Sequence, residues 1–280
     1  MSIEPRSVYL TCAGREIHVT EWGAPSAPQL VMWHGLARTG RDFDPLAKAL
    51  AAEYHIIAPD TLGRGLSQWA GDPVAEYSMA FYGEIAVDLV DQMGFSNLRW
   101  VGTSMGGAIG MHLAGGRLRG RISHLVVNDI APELARPAVD RILTYAGNPP
   151  EFDTLLELER FLRASYAPYG FLPDAQWRHM AETSARRMDN GRVTVHYDPR
   201  MVGQFRNHPQ DYDQWESYDR ITAKTLLYRG ADSDLILEDW AEAMTRRGPR
   251  ATWMDFDGCG HAPALNVPAQ IEPIRAFLAG

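Results

Sequence analysis

The chain predicts an α/β fold: a mostly parallel sheet with helices on both faces, interrupted by one mostly helical cap insertion. Three observations carry this. Short apolar runs bounded by Gly, Pro or Asp recur, helix-like stretches lie between them, and the alternation lapses between about Asp129 and Asp219 before "ITAKTLLYRG" restores it.

Taken in order, "SVYLTC" and "EIHVTEW" are separated by "AGRE" and read as a hairpin. The later runs "QLVMWH", "HIIAPD", "LRWVGT", "HLVVNDI", "KTLLYRG" and "ATWMDF" are almost continuously apolar, as expected of parallel strands buried on both faces. Between them, "DFDPLAKALAAEY", "SMAFYGEIAVDLVDQMG" and "MGGAIGMHLAGG" read as helices. In the second, Ser78 can cap the start, Phe81, Ile85, Leu89 and Met93 share one face, and Gly94 can end it. The lapse holds "NPPEFDTLLELERFLRASYAPYGFLPDAQWRHMAETSARR", with helical periodicity, prolines, aromatics and one strand-like piece further on, "RVTVHY".

At 280 residues and 45% hydrophobic composition, the chain can bury one large core with an appendage. A formal charge of −8 with no Lys/Arg cluster argues against nucleic acid or an anionic membrane as partner, and a small-molecule substrate fits better. Cys12 and Cys259 are too far apart in sequence to spell a disulfide framework or a zinc site, and read as free thiols. With neither a signal-peptide pattern nor an apolar run of membrane-spanning length, a soluble cytoplasmic protein is expected.

Gly102-Thr103-Ser104-Met105-Gly106 matches G-x-S-x-G between an apolar strand and a helix, the context that pattern requires. A serine held on such a turn becomes a nucleophile only with a base, and the base needs an acid. Among nine histidines, His261 stands out in "DFDGCGHAPALNVP", a Gly-rich loop between a strand and the last helix. For the acid, "LLYRGADSDLI" offers Asp234, favoured because the apolar pair after it would hold the loop, with Asp232 as its alternative. Asp129, ending "HLVVNDI", is a second candidate, read as structural at the entry to the insertion. Two N–H donors must meet the oxyanion. The Met105 amide and, from the loop in "VMWHGLARTG", the Leu36 amide are expected there, with His34 shaping the loop. "PDTLGRGLS" lacks nucleotide-binding spacing, and no metal-ligand spacing occurs, so neither cofactor nor metal is expected.

"HGLART", "PDTLGRGLS", "VGTSMGG", "RGADSDLI" and "GCGHAP", in that order, resemble the α/β-hydrolase superfamily over nearly the whole chain. The resemblance implies an eight-stranded sheet, a core at 1–130 and 218–280, and a helical cap at 131–217. It also implies Ser104, Asp234 and His261 as the triad and the Leu36 and Met105 amides as the oxyanion hole. More narrowly, the chain is similar to capped bacterial serine esterases. A serine at the elbow argues against dehalogenase and epoxide-hydrolase chemistry, which need a carboxylate there. The expected activity is ester hydrolysis through an acyl-enzyme. Carbon–carbon hydrolases and lactonases would share the same triad, and a non-catalytic relative could keep the fold.

Overall fold

The structure is a computed structural model that describes residues 4–280. Its strands are β1 (Arg6–Cys12), β2 (Arg15–Trp22), β3 (Gln29–Trp33), β4 (His55–Pro59), β5 (Leu98–Thr103), β6 (Ile122–Asn128), β7 (Ala185–Arg187), β8 (Val193–Val195), β9 (Lys224–Gly230) and β10 (Thr252–Phe256). Eight of them form one sheet in the order β1-β2-β4-β3-β5-β6-β9-β10, while β7 and β8 pair separately. Strands β3 to β6, β9 and β10 run parallel, and β1 and β2 pair antiparallel through a turn at Ala13 and Gly14, both with positive φ. Two consecutive left-handed residues give a turn whose twist matches that of the strands.

Apolar side chains alternate between the two faces of the sheet. Val31, Trp33, Ile57, Trp100, Leu125 and Val127 pack on one side, whereas Leu30, Met32, Ile56, Val101 and Val126 pack on the other. The helix Met79–Gln92 forms as its sequence predicts: the Ser78 hydroxyl accepts the Phe81 N–H, and Gly94 lies just past its end at φ 70°.

Between β6 and β9 the chain adds no strand to the main sheet. It forms the helices Arg136–Ala146, Leu155–Ser165 and Asp174–Ser184, the β7–β8 hairpin and shorter helical turns. This segment is stitched to the sheet side by buried bonds. Gly65 N–H donates to the His196 carbonyl at 2.8 Å, Asp198 N–H to that of Gly63 at 2.7 Å, and the Tyr77 hydroxyl to Asp198 at 2.6 Å. The helix Trp215–Asp219 straddles the expected end of the insertion at 217, and Gly115 lies hard against the Ser217 carbonyl.

The order β4-β3-β5 places a topological switch point between β3 and β5, where open parallel sheets form a crevice at the carboxyl ends of their strands. Ser104 follows β5 and the loop carrying Leu36 follows β3, so both open onto that crevice.

Candidate active site

Ser104 has φ 51° and ψ −117°, a conformation L-residues rarely adopt, on the turn between β5 and the helix Met105–Ala114. The surroundings enforce it. Ser104 N–H donates to the Asn128 carbonyl at 2.8 Å, and Trp100 Nε1–H to that of Gly106 at 3.0 Å. At Gly106, any Cβ would run into the Trp33 carbonyl, so only glycine lets the helix start this close to β3.

Ser104 Oγ lies 2.9 Å from His261 Nε2, and His261 Nδ1 lies 2.6 Å from Asp129 Oδ2. The carboxylate bonded to His261 is therefore Asp129, and the sequence-based expectation of Asp234 is corrected. Asp129 is fully buried, with φ 58° at the exit of β6, a left-handed position that Asp tolerates better than most residues. It also accepts the Gly230 N–H at 2.8 Å and the Ser233 hydroxyl at 2.6 Å. The loop after β9 thus holds the carboxylate bonded to His261 without supplying it. Asp234 turns outward, half exposed, and takes Arg141 of the helix Arg136–Ala146 in a two-pronged contact at 2.7 Å on each oxygen. Partial burial pushes its carboxyl up, but Arg141 outweighs this and holds it below the ordinary range. Asp232 is exposed as well, with its backbone N–H on the Cys259 carbonyl.

Leu36 and Ser104 line one cavity, and a Cβ built on Gly35 would sit 3.6 Å from that of Ser104. Met105 opens its helix, so its N–H has no acceptor within that helix. The peptide between Gly35 and Leu36 is held from behind. His34 Nδ1–H donates to the Gly35 carbonyl at 2.6 Å, while Nε2 accepts the Thr61 N–H at 2.9 Å. Fixing a carbonyl fixes the N–H on the opposite side of the same peptide plane, here that of Leu36. The buried Arg64 braces the next peptide, donating to the Leu36 carbonyl at 2.9 Å.

Burial holds the His34 imidazole at about 4, against the opposing charge of Asp60. Below about 6.5 the unfolded chain takes up a proton that folded His34 refuses until about 4, so stability should fall as pH drops through that window. His112, His124 and His196, also lowered mainly by burial, add the same sign. Urea midpoints measured from pH 7 to 4.5 should show the decline, with a shallower slope in His34→Asn. An unchanged slope in that variant would assign the decline to other groups.

A second Ser–His–Asp set exists. Ser7 Oγ lies 3.0 Å from His18 Nε2, and His18 Nδ1 lies 2.8 Å from Asp60. Ser7, however, is exposed within β1 at the edge of the sheet, in regular ladder pairing with Thr20, without the strained turn or helix start that Ser104 has. Volume does not locate the chemistry either. A cleft of about 1130 Å³ lined by Arg136, Val139, Phe205 and His208 excludes Ser104, whose own cavity encloses about 30 Å³. The convergence of hydroxyl, imidazole and buried carboxylate makes Ser104 the candidate nucleophile.

Among the aromatic side chains, Tyr166 and Tyr169 line the Ser104 cavity, Phe205 lines the larger cleft, Phe171 is exposed and Trp33 is buried against Trp100. Arg38, Arg141 and Tyr145 also line the Ser104 cavity and went unnoticed in the sequence. Arg38 had a signal, since it stands two residues past Leu36 in "HGLART". Among the described residues, no group of three or more His, Cys, Asp or Glu side chains converges as metal ligands. Nor is any helix among them long and apolar enough to cross a membrane.

Residues 30–273 match the model of the alpha/beta hydrolase family. Over the full length of both chains, the protein is 36% identical to a 3-hydroxybutyrate-oligomer hydrolase of Cupriavidus necator. An alpha/beta hydrolase from Novosphingobium aromaticivorans superposes with a TM-score of 0.89 at 31% identity, over 100% of this chain and 99% of that one. The fold is also that of E-2-(acetamidomethylene)succinate hydrolase, with a TM-score of 0.87 at 21% identity over 99% of this chain and 100% of that one. By the family match over residues 30–273 and its eight-stranded sheet, the chain belongs to the α/β-hydrolase family.

Proposed function

We propose that the chain is a serine hydrolase that cleaves carboxylic esters of small molecules through an acyl-enzyme, with Ser104, His261 and Asp129 as its triad. The hydrogen-bonded chain from the Ser104 hydroxyl to the buried Asp129 carboxylate carries this reading. As Ser104 Oγ attacks the ester carbonyl, His261 Nε2 takes its proton, and Asp129 stabilises the imidazolium through Nδ1–H. The carbonyl oxygen becomes an oxyanion facing the Leu36 and Met105 amides. Collapse breaks the bond to the alcohol oxygen, which receives the proton from His261. Water then gives a proton to His261 and attacks the acyl carbon, and Ser104 leaves with that proton restored.

The cavity at Ser104 has room for only a water or two. Ester binding in this reading requires the cavity to widen between the side chains that line it. The relative's named substrate, an oligomer of 3-hydroxybutyrate, supports short hydroxy-acid esters as the substrate class. Initial rates on short acyl esters, on the linear 3-hydroxybutyrate dimer and on a vinylogous diketone test the reading, together with fluorophosphonate labelling read by peptide mass spectrometry. Turnover of linear esters and one adduct, on the Ser104 peptide, are expected. Turnover of the diketone without linear esters, or labelling elsewhere, would overturn it.

A further inference from the structure

Arg38 is held by one carboxylate in a way that leaves part of its guanidinium without a well-formed hydrogen bond. Its side chain is only 2% exposed, and Nε and Nη2 both donate to Asp42, at 2.8 and 2.6 Å. The third nitrogen, Nη1, is buried and makes no well-formed hydrogen bond among the described residues, the Tyr166 hydroxyl being only a weaker additional partner of the guanidinium. A buried charged donor left unmatched is costly, and an acceptor arriving with a ligand would relieve that cost. Arg38 lines the cavity that contains Ser104, with its guanidinium carbon 4.8 Å from the centre of the Tyr166 ring. That stacking fixes the plane of the fork. Arg141 is a second guanidinium lining the cavity, pinned to Asp234, and none of the residues lining the cavity is an Asp or Glu.

We infer that Arg38 forms a carboxylate-binding subsite beside Ser104, so that the preferred esters carry a free carboxylate a few bonds from the scissile carbonyl. This rests on the ester-hydrolase reading above. The distance follows from the chain itself. Arg38 lies two residues beyond Leu36, so their Cα atoms are at most about 7.6 Å apart, and the nitrogen that receives the carboxylate belongs to the same loop as the proposed oxyanion donor. A substrate carboxylate on Nη1 would fix the position of the ester carbonyl against the Leu36 and Met105 amides. An ester between two 3-hydroxy acids has this layout, with the carboxylate on the alcohol side. A half-ester of a short dicarboxylic acid has it on the acyl side.

The test needs only pairs of substrates that differ by one methyl group. 3-Acetoxybutyrate and its methyl ester form the alcohol-side pair, with acetate release followed so that only the shared bond is counted. Monoethyl succinate and ethyl methyl succinate form the acyl-side pair, with ethanol release followed. Wild-type protein should favour the free acid in at least one pair by about 10- to 100-fold in kcat/KM, the value of one charge-assisted hydrogen bond. Arg38→Met should bring that ratio near one, and Arg38→Lys should recover part of it. A wild-type ratio near one in both pairs, or a ratio that survives Arg38→Met in a folded protein, would overturn the subsite and make Arg38 a structural tie to Asp42 only. Absence of turnover in all four esters would instead remove the ester-hydrolase reading. The pair that responds identifies the side of the scissile bond that carries the charge.

Discussion

Asp129→Asn should lower kcat/KM for a short ester by about 10⁴, whereas Asp234→Asn should change it by less than about fivefold. The first effect follows from the donors around the carboxylate. Asp129 faces Gly230 N–H on one oxygen, and His261 and the Ser233 hydroxyl on the other. An asparagine would have to set its NH2 against one of these. The Gly230 amide can only donate, so the carboxamide oxygen stays with it and the NH2 turns to His261. That forces Nδ1 to accept and leaves the proton on Nε2, where it can no longer receive one from Ser104. Asp234 makes an exposed pair with Arg141, and such pairs are worth about 0–1 kcal/mol. Steady-state kinetics of the two variants decide between the acids, and the reverse ranking would return the role to the loop after β9.

Ser104→Ala should reduce kcat by about 10⁶, and the double variant Ser104→Ala/Asp129→Asn should lose no more than that. Without the hydroxyl there is no proton for His261 to take, so the tautomer set by Asp129 no longer affects the rate. The residual rate belongs to the oxyanion amides and the cavity alone. Single-turnover measurements would show the contrast, with burst release of the alcohol lost in both variants. A double variant slower than Ser104→Ala by the full factor for Asp129 would mean that the two side chains act separately.

The parallel sheet, Ser104 and His261 were legible because each is written locally. Buried strands show as apolar runs, and the elbow serine needs glycine within two residues on either side, as Gly102 and Gly106 provide. The partner of His261 was not local. Asp129 and Asp234 each follow a buried strand, and nothing in their flanking residues tells which carboxylate turns inward. The tertiary arrangement decides that. Ser233 and Gly230 point donors at Asp129, while Arg141, from a distant helix, draws Asp234 outward. The alternation of the apolar runs did place Asp129 at the end of the run that follows that of Ser104 in sequence, and this was the available clue. The insertion was legible as a lapse in the pattern. Its bonds to Gly63, Gly65 and Tyr77 were not, because they join segments more than a hundred residues apart.

Strands β5 and β6 pair with Thr103 opposite Asn128, so Ser104 and Asp129 are the next residues on two hydrogen-bonded neighbours. Two members of the proposed triad therefore share the stiffness of the sheet, and thermal fluctuation of one is largely fluctuation of both. His261 alone arrives on a loop, tethered through the Pro263 carbonyl to Asn128 and through Gly260 N–H to Pro168. Motion within the triad is thus concentrated in the imidazole. In the proposed mechanism that is the group that must re-aim its Nε2 from the serine to the leaving alcohol and then to water, while the nucleophile and the fixed charge stay in place.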